Sequence, residues 1–335
     1  MTGSTTVQAR TFTGTVVGAV RAAAGRLGGF AIGLIIALGI EIAIFASRSP
    51  YFFSVINLTN IGRGMAIVGI VAVGATIVMI AGGFDLSVGS VMAASGMTAA
   101  WAMNAGLGIV SAILLALALG LTVGLLNGTI VAYMRINPLI ATLGTLGIVR
   151  GLAFVVSGGQ EIVVSDMAFV ELGTQEVLGI PISVLVMLGV FVFFGWRMPR
   201  TRFGRYTYAI GSNARAAKLA GIPVARWQLA FYGTAGLLAA LGGLVTVARV
   251  GSAQPTANLS AELDVITAVI LGGTSLAGGR GRLFGTFLGL LVIAVLNNGL
   301  VLADVPTYWQ QVVKGIVLLT AVFADEIRRS RREEG

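Results

Sequence analysis

Apolar residues run along this chain in long, nearly uncharged stretches, and the polar positions are gathered into short breaks between them. A run of about 18 or more such residues can cross a bilayer as a helix. Hydropathy divides the chain into about ten runs, near residues 28–46, 60–81, 87–104, 108–130, 138–156, 181–196, 229–248, 264–277, 284–302 and 309–325. The pattern predicts an all-α polytopic membrane protein. One transmembrane domain covers residues 27–325, flanked by a polar N-terminal tail over 1–26 and a short charged tail over 326–335. The first run, roughly Leu27–Ala46, is long for the apolar stretch of a cleaved leader and no small-x-small site follows it, so it reads as a retained first span.

Composition agrees. Hydrophobic residues make up 56% of the chain and charged residues 10%, against roughly 25% charged in a soluble domain. The 48 glycines suit close helix–helix approach. There is no cysteine and no histidine, which excludes disulfides, thiol nucleophiles, histidine-ligated metals and histidine proton relays. No metal or cofactor site is expected in the chain itself. The formal charge of +9 raises the question of nucleic acid, but no RNA- or DNA-binding motif accompanies it. The distribution of cations answers it better. With both termini inside, the inner segments hold Arg10, Arg21, Arg26, Arg135, a loop over 197–228 with seven cations, Arg280, Arg282 and Arg328, Arg329, Arg331 and Arg332, together 17 of the 22 basic residues. The long opposite loop, about Ser157–Ile180, carries Glu161, Asp166, Glu171 and Glu176 and no cation. The excess of inside cations predicts that both termini are cytoplasmic.

The chain repeats a glycine-rich pattern. Residues 82–89, GGFDLSVG, match residues 272–279, GGTSLAGG, at four of eight positions, and each copy follows an apolar run. A similar pairing, at a different spacing, links Asn127-Gly128 with Asn298-Gly299. Glycine-interrupted segments at corresponding places in two halves point to a transport pathway. Gly82, Gly83, Asp85, Ser87, Asn127, Gly272, Gly273, Ser275 and Asn298 are therefore candidate pathway or gating residues. Both copies end on the inner side, which favours a parallel repeat. Asp85 is placed either to cap the helix beginning near Ser87 or to line the pathway. Thr142 and Thr145 share a stripe with Pro138 that can line a polar passage or bond a neighbouring helix. Tyr308 and Trp309 fit an aromatic belt at the outer interface, with Lys314 snorkelling outward. Glu41 in the first span needs a partner, for which Arg63 and Arg150 are the candidates, or else it is a proton-coupling carboxylate.

The longest polar stretch contains GSNARAAKLAGIP, residues 211–223. Ala214–Ala220 is a run of good helix formers, Asn213 is placed to cap it, Gly221 can end it and Pro223 cannot continue it. A short exposed helix between two spans is a docking knob. Its pattern, G-x-N-x-x-A-A-x-x-A-G-I, resembles the cytoplasmic coupling helix of ABC-importer permeases of the sugar branch. That resemblance assigns ATPase coupling to Gly211, Asn213, Ala216, Ala217, Gly221 and Ile222. GGFDLSVGS at 82–90 resembles a motif of the monosaccharide permeases, and so do RINPLIATLGTLGIVRG at 135–151 and LGGTSLAGGRGRLFG at 271–285. The likeness runs from about Ser49 to Phe323.

The resemblance implies an ABC-importer permease fold in a bacterial inner membrane, paired with a second permease copy. A separate ATPase would bind ATP and magnesium, and a periplasmic or lipid-anchored binding protein would deliver the sugar. No Walker lysine follows the 271–285 motif, so this chain is expected to be a transport subunit and not an enzyme. A monosaccharide is the expected cargo, pentose and ribose first from motif similarity, with Trp309 and Gln310 offering a stacking face and an amide. The rivals are a branched-chain amino acid permease, against which GGFDLSVGS argues, and an ion-coupled secondary carrier. A membrane-embedded enzyme would need clustered carboxylates or histidines, and Asp85 stands alone in the sequence.

Overall fold

A computed structural model of the chain describes residues 31–333, and side chains only to residue 327. The expected N-terminal tail and the start of the first span lie outside the described residues. From there the chain is almost wholly helical: α1 Ala31–Arg48, α2 Val55–Ile80, α3 Val88–Asn104, α4 Gly108–Ala132, α5 Pro138–Ser157, α6 Met167–Thr174, α7 Ile182–Arg200, α8 Arg202–Ser212, α9 Ala214–Leu219, α10 Val224–Val250, α11 Ala261–Leu271, α12 Leu283–Leu302 and α13 Thr307–Glu333. Local chemistry sets several ends. Ser54 Oγ accepts the Asn57 amide at the start of α2. Asn137 does the same for Leu139 ahead of Pro138, the residue whose fixed φ suits the first helical position. Gly158 and Gly251 close α5 and α10 in the left-handed conformation.

The helices form two tiers. Most of α2 and α10 is buried, whereas most of α1, α4, α5 and α7 is not. The outer helices turn large apolar side chains outward, such as Leu114, Ile140, Leu152 and Val192. A surface of that kind belongs against lipid. Where α4 meets α10 the contact is made of small residues. Gly120, Gly124 and Gly128 repeat every fourth position, and a Cβ added at Gly120 or Gly124 would strike the carbonyl oxygens of Gly236 or Tyr232. The backbones can lie this close only because those side chains are missing.

Seven helices among the described residues, α1, α2, α4, α5, α7, α10 and α12, are long and apolar enough to cross a membrane. Of the other three runs in the expected ten, α13 is long but ends in charges, α3 has 17 residues and α11 only 11. The expected span over 264–277 is thus corrected: the helix ends at Leu271 and Gly272-Gly273 turn the chain. What precedes it is not helical. Ser252–Ala253 forms an antiparallel ribbon with Ile162–Val163, pairing Ile162 with Ala253. Beyond the ribbon the chain turns inward beside α3. Asn104, at the end of α3, donates to Val163 O at 2.8 Å. At its start, a Cβ on Gly89 would lie 2.9 Å from Asn258 O. Those points are separated by about 22 Å along the helix, so residues 253–260 re-enter the molecule almost the length of α3. A second small ribbon pairs Glu176–Val177 with Ile180–Pro181.

Candidate functional site

The two glycine-rich segments and the knob, distant in sequence, meet at one place. The Gly279 amide donates to Ile80 O at 2.7 Å. A Cβ on Gly278 would lie 2.8 Å from Gly82 Cα and 3.0 Å from Gly211 O. One on Gly211 would overlap the Ile80 carbonyl and lie 2.7 Å from Gly279 N. Main chain touches main chain, because no side chain intervenes. Tyr208 on α8 adds a hydrogen bond, donating to Gly281 O at 2.9 Å. Gly82, Gly273, Gly278 and Gly279 all carry positive φ, the conformation in which glycine costs least. Gly272 packs against the backbone of Gly285 and Thr286 at the start of α12. Ser275 shapes its own turn, its amide donating to Arg280 O at 3.0 Å. Both copies of the repeat therefore reach the same end of the molecule as α9.

The knob is built as its residues dictate. Asn213 Oδ1 accepts the Ala216 amide at 2.9 Å, and Gly221 reverses the chain with φ 81°. Ala216 is exposed and Ile222 half-buried. Ala217, expected in the coupling set, is only 5% exposed and faces the body of this chain, so it supports α9 from behind. The residue that sequence reading passed over is Leu219, 90% exposed at the tip. Its signal is a large apolar side chain in a stretch otherwise crowded with cations. Arg197, Arg200, Arg202, Arg205, Arg215, Lys218 and Arg226 supply that charge around it.

Above the node, Asp85, Ser87 and Asn127 form one buried network. Asp85 Oδ1 accepts from the Ser87 amide at 2.9 Å and from Ser87 Oγ at 2.6 Å, and Ser87 Oγ accepts from Asn127 Nδ2 at 2.9 Å. Tyr232 on α10 braces the same segment, donating to Phe84 O at 3.0 Å, with its ring oxygen 2.6 Å from where a Cβ on Gly83 would sit. Asp85, 5% exposed, folds onto Ser87 just ahead of α3, and the helix start itself carries no side-chain cap bond. Asn127 Oδ1 has no partner among the described residues.

The remaining candidates lie apart. Thr142 and Thr145 are buried and bond carbonyls of their own helix, Pro138 O and Thr142 O. Trp309 is exposed, and Gln310 donates to Val305 O at 2.8 Å. Asn298 donates to Asn57 Oδ1 at 2.8 Å in the half of the molecule away from α9. Two expected pairings are corrected. Lys314 does not snorkel; it binds Asp264 at 2.8 Å, because α11 brings a carboxylate within reach. Neither candidate partner reaches Glu41: Arg63 pairs with Glu176 at 2.9 Å, and Arg150 donates to the carbonyls of Pro255 and Ala257 at 2.7 and 2.8 Å. Glu41 Oε2 is buried without a partner among the described residues.

Seven helices of membrane-crossing length and composition define a multi-pass membrane protein. A family model described as branched-chain amino acid transport system / permease component matches residues 57–322, and the chain belongs to that family. It is 44% identical to the ribose import permease protein RbsC of Haemophilus influenzae over 87% of this chain and 91% of that one. To the protein of the same name from Bacillus subtilis the identity is 43%, over 88% and 92%. The L-arabinose transport system permease protein AraH of Escherichia coli is 36% identical over 88% and 89%. No solved structure matches. With these relatives the chain is a transport component and not an enzyme.

Proposed function

We propose that this chain is the membrane permease of an ATP-driven importer for a monosaccharide, with ribose the first candidate. The observation that carries the reading is the joint at Gly211, where the knob touches both glycine-rich segments through main-chain atoms. The ribose and arabinose permeases among its relatives support the sugar as cargo. In this reading an ATPase that binds ATP and magnesium docks on α9, with Leu219 seated in its groove and the surrounding cations steering the approach. Closure of the ATPase displaces α9, and the joint carries the displacement into α2–α3 and α11–α12 together. A periplasmic or lipid-anchored binding protein presents the sugar at the opposite end. Two permease copies share the assembly in the bacterial inner membrane, with both termini on the cytoplasmic side.

Leu219→Glu places a charge on the docking tip without touching the interior. The expected outcome is loss of labelled ribose uptake and of ATPase co-purification, with normal abundance in the membrane. Ribose uptake and ATPase recovery both equal to wild type would sink the docking role. The second reading, a branched-chain amino acid as cargo, has the family's description in its favour. Competition of ribose uptake by excess leucine separates the two, and a monosaccharide importer is unaffected by it.

A further inference from the structure

A cavity of about 320 Å³ opens between α2, α10 and α12, in the half of the molecule away from α9. Three elements agree on that position. Asn297 and Asn298 lie about 21 Å along α12 from its start beside the glycine joint, Arg249 is at the last turn of α10, and Asn60 is in the second turn of α2, whose far end is Ile80. Its volume falls at the small end of ligand sites, which run from about 300 to 1,000 Å³.

The lining is chemically unbalanced. Asn297 Oδ1 and Asn298 Oδ1 are buried and have no hydrogen-bond partner among the described residues. Their amide nitrogens are already committed, to Asp264 Oδ2 at 3.3 Å and to Asn57 Oδ1 at 2.8 Å. Each amide is therefore held with an acceptor left over. Buried acceptors without donors are costly, and such gaps call for an occupant. Arg249, which neither the Arg63–Glu176 nor the Lys314–Asp264 pair uses, supplies donors from the third wall. Asp264, the carboxylate that holds the Asn297 amide, is itself paired with Lys314 at 2.8 Å. Among the residues that line the cavity there is no carboxylate to hold an ammonium group. A frame carrying several hydroxyls gives donors to the amide oxygens and acceptors to the guanidinium at once.

We propose that this cavity is a subsite for a monosaccharide on its way from the outer face, with Asn60, Asn297, Asn298 and Arg249 as its polar contacts. The Asp264–Lys314 pair is a positioning element, fixing the Asn297 amide so that its oxygen stays available. The proposal rests on the sugar-import reading and adds the place and the residues.

The test uses the whole importer, purified with its ATPase, reconstituted in vesicles and supplied with binding protein and ribose. The readout is ribose moved per ATP hydrolysed. Gly64 lines the cavity, and a Cβ there meets nothing within 4 Å. Gly64→Leu therefore fills the space without a backbone clash, while Gly39→Leu, at an equally open position on the exposed face of α1, serves as control. Gly64→Leu is expected to lower the ratio at least tenfold with ATPase rate and subunit recovery unchanged, and Gly39→Leu to leave it as in wild type. Asn60→Ala and Asn298→Ala are expected to lower it about tenfold each, the scale of one hydrogen bond with its partner left unpaired. If wild type moves ribose and these three variants keep its ratio, the subsite is overturned. It is likewise overturned if uptake falls only in step with ATPase rate or recovery. If wild type moves leucine and not ribose, the import reading itself fails, and the sugar assignment goes with it.

Discussion

Gly211 and Gly221 stand ten positions apart in the proposed coupling segment and meet different demands. Gly221 has open space around it but φ 81°, so any side chain there strains the backbone and not its neighbours. Gly211 has an ordinary φ and no room. Gly211→Ala is expected to prise the joint apart and abolish ribose uptake, whereas Gly221→Ala should cost about 1 kcal/mol at the end of α9 and lower uptake only partly. Parallel uptake measurements on the two variants, normalised to membrane abundance, check the order, and equal losses would contradict it. At this scale the sequence is legible where the interaction is local. The Asn213 cap, the Gly221 stop and the Asp85–Ser87 turn each involve residues within three positions of one another. It is illegible where the partner is distant. Nothing in the pattern around Lys314 names Asp264 in preference to lipid headgroups, nor tells Arg150 to seek carbonyls at 255 and 257. The inward turn of Ala217 is likewise set by what lies behind α9.

At the scale of elements, the misread parts are those in which an apolar run is not one helix. A hydropathy window averages over breaks, so residues 264–277 look like a span although Gly272-Gly273 end the helix and an irregular stretch leads into it. The re-entrant stretch contains Asn258 and Ser260 at φ 56° and 64°, a conformation that side chains disfavour. Arg150 holds it through two carbonyls. Hydrogen bonds to a charged group contribute about 1.5–3 kcal/mol each. Arg150→Met keeps the apolar stem and removes the donors, and is expected to lower the melting temperature of the detergent-solubilised importer by several degrees. An unchanged melting curve would show that the stretch is held by other contacts.

Across the whole molecule the class was plain from the start, because about ten apolar runs and an uneven spread of arginine admit few alternatives to a polytopic bundle. Which helices lie inside was not plain, since α2, α4 and α10 are all apolar around their whole circumference. Small residues decide it, and the clearest case is the seam of Gly120, Gly124 and Gly128 against α10. Gly124→Leu is expected to push α4 from α10 and leave little folded protein in the membrane, whereas Gly147→Leu, where a Cβ meets nothing, is expected to accumulate as wild type. Fluorescence-detected size exclusion of both variants distinguishes these outcomes, and normal Gly124→Leu profiles would refute the seam.

The joint beneath these helices bears on how work crosses the molecule. Side chains in contact can change rotamer within nanoseconds and soak up a small shift before it is passed on. Between Ile80, Gly211 and Gly279 there are no side chains to do so. In the proposed coupling, a linkage without that slack has no lost motion: a fraction of an ångström imposed on α9 would reach the end of α2 and the loop after α11 in the same stroke, and the stiffness of peptide geometry, not the softness of packing, would set how faithfully the stroke is copied.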